Sequence, residues 1–426
     1  MKIEAWLDRE MPDWIARGWL TPAAAVALRA QYAAPDRRAR GARIFGALAA
    51  ALIGLGLILL LAHNWPDLTR PLRTALALLP LLAAQAGCAW ARRPTGRADT
   101  GAREGWSLFL ALMIGLSIAL IGQTYHVPGN LASFLGVWML LALPVIYVMR
   151  ARLPAFLYLA GVTAWTIHAR AADGTPQAYL LWLLPLLPGG YALARDPAAG
   201  GWRTAAALAV AASLTLTTGF VLERILPGLW MLVYGSLFAV LYFIGRHAER
   251  ALARAASLGI AGLALLLTFD WPWRKIGWAR FRPAETWLAG LDYALFAALG
   301  VAAVAGLARA ARRGRWADAY WGSLPAALAL GYGAAGGKWG AAGFAQALCN
   351  GWLAVAGLVW LAHGLRRNEP GAAHGGVALL SLLILARFFD EHIGFVARGL
   401  AFIGAGAAFL MVHFALARRA RGNGHE

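Results

Sequence analysis

The chain has 426 residues, of which 60% are hydrophobic and 14% are charged, and its formal net charge is +19. A soluble globular protein carries about 25% charged residues, so this composition excludes an ordinary soluble domain. The positive charge does not indicate nucleic-acid binding, because the basic residues lie in short loops between apolar segments, where the positive-inside rule expects them.

Residues 1–42 precede the first apolar segment and are predicted to form a cytoplasmic helix–turn–helix. Residues 3–15 have helical periodicity that is broken near Pro12. Thr21 and Pro22 have the pattern of an N-cap followed by proline at the first helical position, opening a helix to about Tyr32. The segment is either a helical cap on the membrane domain, which we favour, or a docking site for a cytoplasmic protein partner. No cleavable signal peptide is expected, because the first apolar run begins only near residue 44.

Residues 43–416 are predicted to form a membrane domain of about 14 transmembrane helices, followed by a basic cytoplasmic tail at 417–426. Apolar runs near 20 residues match the ~30 Å thickness of the hydrocarbon layer at about 1.5 Å rise per residue. In lipid, a backbone must satisfy its own hydrogen bonds, as a helix does. The chain is therefore predicted to be an all-α polytopic integral membrane protein. The predicted spans cover residues 44–62, 71–90, 106–124, 131–149, 153–169, 178–194, 203–222, 228–245, 252–269, 285–308, 319–335, 344–363, 373–388 and 395–416.

Arginine residues set the predicted orientation. With both termini in the cytoplasm, every inner loop carries arginine and the inner loops hold most of the basic residues. The exception is the outer segment Trp271–Arg282, whose interleaved tryptophans and arginines predict a position at the lipid headgroups.

A short motif occurs twice at a constant offset, as Gly56-Leu57 running to Trp65-Pro66 and as Gly262-Leu263 running to Trp271-Pro272. Both copies end a span on the predicted outer side. The domain therefore consists either of two parallel halves, about 43–250 and 251–416, or of leucine-rich segments that match by chance, which is the interpretation we favour.

Three polar clusters lie at the predicted outer ends of spans and combine histidine with amide, aromatic or carboxylate groups. Irregular polar backbone near membrane depth is tolerated where it faces protein or a wet cavity. We predict a candidate outer-face site, and the alternative is that these residues are topology anchors at the headgroups. The candidate residues are His63, Asn64 and Trp65, then Gln123, Tyr125, His126 and Asn130, and finally Arg387, Asp390 and Glu391.

The same clusters carry a resemblance. The A-x-N-W end of the first span and the G-Q-x-Y-H-x-x-G-N turn at residues 122–130 resemble the bacterial membrane protein family known as domain of unknown function 2157. Residues 18–21 resemble the N-terminal region of that family, and the resemblance extends over roughly residues 1–150. The stretch at 387–390 resembles the C-terminal part of related multi-span proteins. The resemblance implies a bacterial inner-membrane protein, but no chemistry, because the family has no established activity.

Asp292 is the predicted intramembrane carboxylate. It lies seven residues after Glu285 on the same helical face, ~10 Å further into the membrane. A carboxyl at that depth is costly unless it is paired or hydrated, so such residues are candidates for a proton or cation relay. The alternative is that the span begins later and leaves Asp292 at the interface.

No cofactor and no metal are expected. The chain has no H-x-x-x-H or H-E-x-x-H pattern that would place zinc ligands close together in sequence. A zinc site would therefore require residues from distant loops to come together in space, namely His63, His126 and His392 with Asp390 or Glu391. A Walker loop and a dinucleotide fingerprint are also absent from the sequence, and no catalytic residue can be assigned. Gln346 and Asn350 are predicted to form hydrogen bonds between helices, and Gly115 is predicted to mark a helix-packing surface.

We expect a transporter or flippase for a small or lipid-linked solute. One alternative is a membrane-embedded enzyme that acts at the outer face on a lipid-linked substrate, which requires His126 and Asp390 to converge. The other is a non-catalytic scaffold or sensor that engages a partner through residues 1–42. The expected partners are the lipid bilayer and a small or lipid-linked substrate, with no nucleic acid.

Overall fold

A computed structural model describes residues 3–25, 28, 68–93, 100–171, 176–196, 199–274, 287–336, 342–367, 369–388 and 403. Within these residues the regular structure is helical and contains no strand, which confirms the predicted fold class. The chain divides into two units, Met1–Leu78 and Leu79–Glu426. The predicted span 44–62 and nearly all of 395–416 lie outside the described residues.

Sixteen α-helices are described in chain order. They are α1 (Ile3–Ala16), α2 (Arg70–Ala91), α3 (Thr100–Tyr125), α4 (Leu131–Met149), α5 (Leu153–Ala171), α6 (Tyr179–Leu183), α7 (Leu187–Arg195), α8 (Gly200–Val221), α9 (Leu226–Ala248), α10 (Arg250–Leu266), α11 (Trp271–Arg274), α12 (Trp287–Arg312), α13 (Trp316–Trp321), α14 (Leu324–Gly336), α15 (Ala342–Arg367) and α16 (Pro370–Phe388).

Seven of the described helices are long and apolar enough to cross a membrane. Two shorter apolar helices, Leu153–Ala169 and Gly371–Ala386, accompany them. The chain is therefore a membrane protein with several transmembrane helices, although the predicted count of fourteen is not confirmed. The seven are Arg70–Ala91, Gly101–Tyr125, Leu131–Met149, Gly200–Val221, Gly228–Ala248, Gly290–Arg312 and Gly343–Arg366.

In the first unit, helix α1 runs without interruption through Pro12, so the predicted break there is wrong. Proline removes one backbone donor and strains the preceding turn, but a helix can continue past it with a kink. The following turn returns the chain so that Met11 and Ala25 are buried together. Thr21 caps the next helical turn as predicted, because its Oγ1 accepts a hydrogen bond from the backbone of Ala24 at 3.2 Å.

Two predicted spans of the second unit are interrupted. Residues 178–194 were predicted as one span, but the segment consists of a 3₁₀ turn at Pro176–Ala178, α6, a second 3₁₀ turn at Leu184–Leu186, and α7. Pro185 and Pro188 lie within one helical turn and remove two backbone donors, which favours an interruption here although a helix can pass a single proline. The predicted span 319–335 is likewise divided between α13 and α14.

Glycines allow neighbouring helices of this unit to approach closely. A Cβ placed on Gly376 of α16 would lie 2.5 Å from the backbone nitrogen of Leu361 in α15, and one placed on Gly115 would lie 2.4 Å from the Trp138 ring. Small residues at such contacts allow helix backbones to pack directly. The packing role predicted for Gly115 therefore agrees with its surroundings. Asn350, by contrast, donates to the carbonyl of Gln346 in its own helix at 2.8 Å.

Ion pairs connect the arginine-bearing turns of the second unit to one another. Arg152 pairs with Asp196 at 3.1 Å, and Arg203 lies 3.7 Å from Glu249. The turns α4–α5, α7–α8 and α9–α10 therefore lie at one end of the helices, which we call the arginine-rich end. The predicted topology places these three turns on the same side of the membrane, and the two ion pairs are consistent with that placement.

The segment that begins at Trp271 differs from the prediction. Trp271 is exposed, but Trp273 is buried in the helix core and donates its indole N–H to the carbonyl of Leu267 at 2.7 Å. A buried indole needs an acceptor, and the carbonyl at the end of α10 supplies one. The described start of this segment therefore packs on the protein, and residues 275–282 lie outside the described residues.

Candidate functional site

A set of polar side chains is buried among α5, α6, α8 and α12, together with the 3₁₀ turn that precedes α6. We call this set the buried polar cluster. Intramembrane polar groups that face the interior of a helix bundle are costly and often mark ion or substrate paths. The cluster consists of Thr163, Gln177, Tyr179, Ser213, Thr217 and Asp292, all of which are buried.

Asp292 and Gln177 form one part of the cluster. The side-chain amide of Gln177 donates to Asp292 Oδ1 at 2.9 Å. Asp292 is fully buried, and it lies five residues after the start of α12 at Trp287, which is ~7.5 Å along the helix axis. Its neighbours Tyr293 and Phe296 pack against the core that contains Tyr179. The carboxylate is therefore enclosed by protein, whereas its depth in the membrane, deep or interfacial, stays a prediction.

Hydroxyl groups form the other part of the cluster. Ser213 Oγ lies 2.5 Å from both Thr163 Oγ1 and the Tyr179 hydroxyl, and Thr217 Oγ1 donates to the Ser213 carbonyl at 2.8 Å. Thr163 belongs to α5, Tyr179 to α6 and Ser213 to α8. The two parts are connected along the chain, because only Ala178 separates Gln177 of one part from Tyr179 of the other.

The chemistry available here is the transfer or binding of small cations. Hydroxyls donate and accept hydrogen bonds, and a carboxylate accepts them or carries a proton. Gln177 Oε1 is buried and has no hydrogen-bond partner among the residues that the structure describes. Buried polar atoms are usually satisfied, so this carbonyl oxygen is available to a proton donor or a cation beside the Asp292 carboxylate.

The predicted outer-face residues are all exposed and lie close together: Gln123 and Tyr125 are in the last turn of α3, and His126 and Asn130 are in the turn between α3 and α4. His126 has a left-handed backbone with φ of 55°, and the Val127 N–H bonds to the Gly122 carbonyl at 2.9 Å. This is the Schellman arrangement that ends a helix. Asn130 caps α4, because its Oδ1 accepts from the backbone of Ser133 at 2.8 Å. Both residues therefore have roles in shaping the turn.

The other predicted outer-face residues cannot be compared with this turn. His63, Asn64, Trp65, Asp390 and Glu391 lie outside the described residues, and only the backbone of Arg387 is described, near the end of α16. The convergence of the three predicted clusters therefore stays a prediction. Among the described residues, no group of three or more His, Cys, Asp or Glu side chains is arranged to hold a metal ion.

Asp318, which sequence reasoning missed, is the buried centre of an ionic cluster whose arginines are partly exposed. Its carboxylate accepts from the Tyr242 hydroxyl at 2.8 Å and from Arg315 Nε at 2.6 Å, and it pairs with Arg246 Nε at 2.8 Å. Burial by itself raises the pKa of Asp318, but the hydrogen bonds from Tyr242 and Arg315 and the charge of Arg246 outweigh burial and lower it. The i, i+3 spacing of Arg315 and Asp318 was the only local signal in the sequence. One hydroxyl and two guanidinium groups engage the carboxylate, which indicates a structural role.

A cavity of about 550 Å³ opens near the arginine-rich end, between α4, α5, α7 and α8. Its walls are mostly apolar, and Arg150, Arg152 and Asp196 lie at its polar side. Sequence reasoning missed this cavity, because its lining comes from four separate helices. Two of its lining residues, Leu159 and Val210, are about one helical turn along their helices from Thr163 and Ser213 of the buried polar cluster.

Comparison with protein families gives a match to a family described as "Predicted membrane protein (DUF2157)". Residues 12–155 are similar to DUF2157. This confirms the resemblance drawn from the N-terminal third of the sequence. Comparison with curated proteins and with solved structures found no match.

Only some of the candidate features lie within the region that is similar to DUF2157. The turn at residues 122–130 and the arginines Arg150 and Arg152 fall within the region similar to DUF2157, whereas every residue of the buried polar cluster lies beyond residue 155. The similarity to DUF2157 therefore indicates a membrane protein and carries no information about the chemistry of the cluster.

Proposed function

We propose that the chain is a transporter or flippase that moves a small or lipid-linked solute, coupled to a proton or cation that binds at Asp292. The observation that carries the proposal is the burial of Asp292 within a helix that is long enough to span the membrane, hydrogen-bonded to Gln177. A carboxylate in this position is expensive to maintain, and such residues are typical of proton and ion paths.

The broken helix beside Asp292 supports the same proposal. Gln177 and Tyr179 lie at the start of a segment that crosses residues 176–195 as short helical pieces. Transporters commonly build substrate and ion sites from discontinuous helices, whose interrupted backbone supplies ligands next to the path. The cavity near the arginine-rich end reaches to within about one helical turn of the hydroxyl part of the buried polar cluster. A solute entering there would approach Ser213 and Tyr179 first.

The proposed location is a bacterial inner membrane, with both termini and the arginine-rich end in the cytoplasm. Arginine outnumbers other charges in the loops assigned to that side, and the positive-inside rule favours this orientation. Asp292 would then lie towards the outer side, and the cavity would open on the cytoplasmic side. The enzyme alternative still depends on convergence of His126 with Asp390, and the scaffold alternative on residues 1–42.

The test is proton movement into proteoliposomes that contain the purified full-length chain and a pH-sensitive dye. A potassium gradient with an ionophore imposes the membrane potential. We expect a proton flux above that of protein-free vesicles, reduced to background by Asp292→Asn. Glu369→Gln is the matched control, because Glu369 is an exposed carboxylate whose nearest ion-pair contact, to His363, is long at 3.8 Å. Equal flux for the wild type and Asp292→Asn would remove the basis of the proposal.

A further inference from the structure

The cavity near the arginine-rich end has the shape and lining of a site for an acyl chain. It lies between the end of α4, the start of α5, α7 and α8, and its volume of about 550 Å³ falls within the range of about 300–1,000 Å³ typical of small-molecule sites. The walls are formed largely by Ile146, Phe156, Leu159, Leu186, Ala206 and Val210. Such a surface favours hydrocarbon over a polar solute.

The polar side of the cavity carries positive charge that the protein does not fully neutralise. Arg152 pairs with Asp196 at 3.1 Å, and its guanidinium lies 5.5 Å from the centre of the Trp202 ring. Arg150 also lines the cavity, is exposed, and makes no side-chain hydrogen bond or ion pair with any residue that the structure describes. One guanidinium is therefore available to an anion at the edge of an apolar cavity.

The backbone holds Arg150 in an unfavourable conformation at this edge. Its φ of 49° is left-handed, and its N–H bonds to the carbonyls of Ile146 and Tyr147. The Glu104 carboxylate fixes the same turn, because it accepts from the backbone nitrogens of Arg152 and Leu153 at 2.8–2.9 Å. Glycine is the usual residue at such a helix end, and strained positions that keep a bulky side chain cluster at functional sites.

We propose that this cavity binds an anionic phospholipid, with the phosphate on Arg150 and one acyl chain along the apolar walls. A guanidinium matches phosphate by paired hydrogen bonds. Basic pockets between transmembrane helices on the cytoplasmic side bind the headgroups of anionic lipids. Inorganic phosphate would use the arginine alone and would leave the apolar walls without a function. The inference does not rest on transport, because lipid binding at Arg150 requires neither Asp292 nor proton movement.

The test compares lipid binding to the purified full-length chain by native mass spectrometry. Phosphatidylglycerol and phosphatidylcholine with identical acyl chains are titrated separately, and inorganic phosphate is added as a competitor. We expect phosphatidylglycerol to bind about tenfold more tightly than phosphatidylcholine, and phosphate at equal concentration to leave it bound. Arg150→Gln should remove this preference, since one charge-assisted contact accounts for about a tenfold change. Arg150→Lys should keep part of it.

Two further variants separate the site from general surface effects. Arg313→Gln removes another exposed arginine, one that lies outside the cavity, and should leave the lipid preference unchanged. Gly189→Leu adds a side chain at the cavity wall where a Cβ meets no atom within 4 Å, and it should weaken phosphatidylglycerol binding at least fivefold while every arginine remains.

Equal affinity for the two lipids, or displacement of the lipid by phosphate alone, would overturn the proposal. So would an equal loss of lipid preference in Arg150→Gln and Arg313→Gln, or wild-type phosphatidylglycerol affinity in Gly189→Leu. If Arg150→Gln fails to fold, the wild-type lipid comparison and Gly189→Leu decide the question. The Asp292→Asn variant should bind phosphatidylglycerol as the wild type does, so failure of the transport proposal and failure of this one give different results.

Discussion

The side-chain amide of Gln177 donates to the carboxylate of Asp292 at 2.9 Å, across 115 positions of the chain. This contact joins the 3₁₀ turn before α6 to the first turns of α12, and both residues are buried. The predicted topology places both segments at the outer ends of their spans, and the contact agrees with that placement.

The first prediction concerns the energetic coupling of this pair. Gln177→Leu should destabilise the folded state by about 1–3 kcal/mol, because it leaves a buried carboxylate oxygen without that donor. The double variant Gln177→Leu/Asp292→Leu should cost less than the sum of the two single variants, with a coupling of about 0.5–3 kcal/mol. Thermal unfolding in detergent measures all four proteins. Strict additivity would show that the contact does not couple the two helices.

A second prediction separates the two explanations for His126. Its left-handed conformation costs a side-chain-bearing residue about 1–2 kcal/mol, so His126→Gly should leave the stability unchanged or raise it. Asn130→Ala should lower the stability by about 0.5–2 kcal/mol, because it removes the cap of α4. Unfolding temperature and proton flux are measured together. Loss of flux in a more stable His126→Gly protein would assign His126 a role beyond the turn, whereas a less stable protein would contradict the capping interpretation.

The third prediction concerns acid and the Asp318 cluster. The pKa of this carboxyl lies below its ordinary value of 3.8 in the folded protein, so the carboxylate stabilises the fold above about pH 4 and loses that contribution as the pH falls through the lowered pKa. Asp318→Asn should destabilise the protein at pH 7 by about 1–3 kcal/mol, because the buried Tyr242 hydroxyl loses its charged acceptor and the partly exposed Arg246 and Arg315 lose their partner. The difference from the wild type should shrink below the ordinary pKa.

The control for the acid experiment is Asp13→Asn. Asp13 pairs with Arg17 at 2.9 Å, but both side chains are at least half exposed, and exposed pairs contribute about 0–1 kcal/mol. Its unfolding temperature should follow that of the wild type at every pH. A pH-independent difference between the wild type and Asp318→Asn would show that the ionised form of Asp318 does not carry the stabilisation.

A fourth prediction tests the packing of α15 on α16. An alanine Cβ at Gly376 would lie 2.5 Å from the Leu361 nitrogen and 2.7 Å from the Gly357 oxygen. Backbone atoms cannot rotate away as a side chain can, so the two helices must separate, and overpacking of this kind typically costs about 1–3 kcal/mol. Gly351→Ala, where an added Cβ meets nothing within 4 Å, should instead stabilise α15 by up to about 1 kcal/mol. Equal effects on unfolding temperature would contradict the contact.

Local sequence patterns were enough to predict the helical membrane fold and to single out Asp292, which is buried. Hydrophobic run length determines which segments can span lipid, and a carboxyl inside such a run is visible without a structure. The partner of Asp292 was not predictable, because Gln177 is distant in sequence and had no unusual local pattern. The cap roles of His126 and Asn130 depend on backbone dihedrals, which composition does not specify. Pro185 and Pro188 were visible signals for the break between α6 and α7, but the apolar run outweighed them in the prediction.

The last prediction tests the orientation from which both proposals are described. Val127 lies in the turn after α3 and is 62% exposed, and Arg313 is exposed near the end of α12. The native thiols of Cys88 and Cys349 are buried, so the wild type should react little with a membrane-impermeant maleimide. In intact cells, Val127→Cys should be labelled, and Arg313→Cys should be labelled only after the membrane is permeabilised, because arginine-rich loops remain in the cytoplasm. The reverse labelling pattern would show the opposite membrane orientation. The Arg150 cavity would then lie in the outer leaflet, and the lipid proposal would lose the support of the anionic cytoplasmic leaflet.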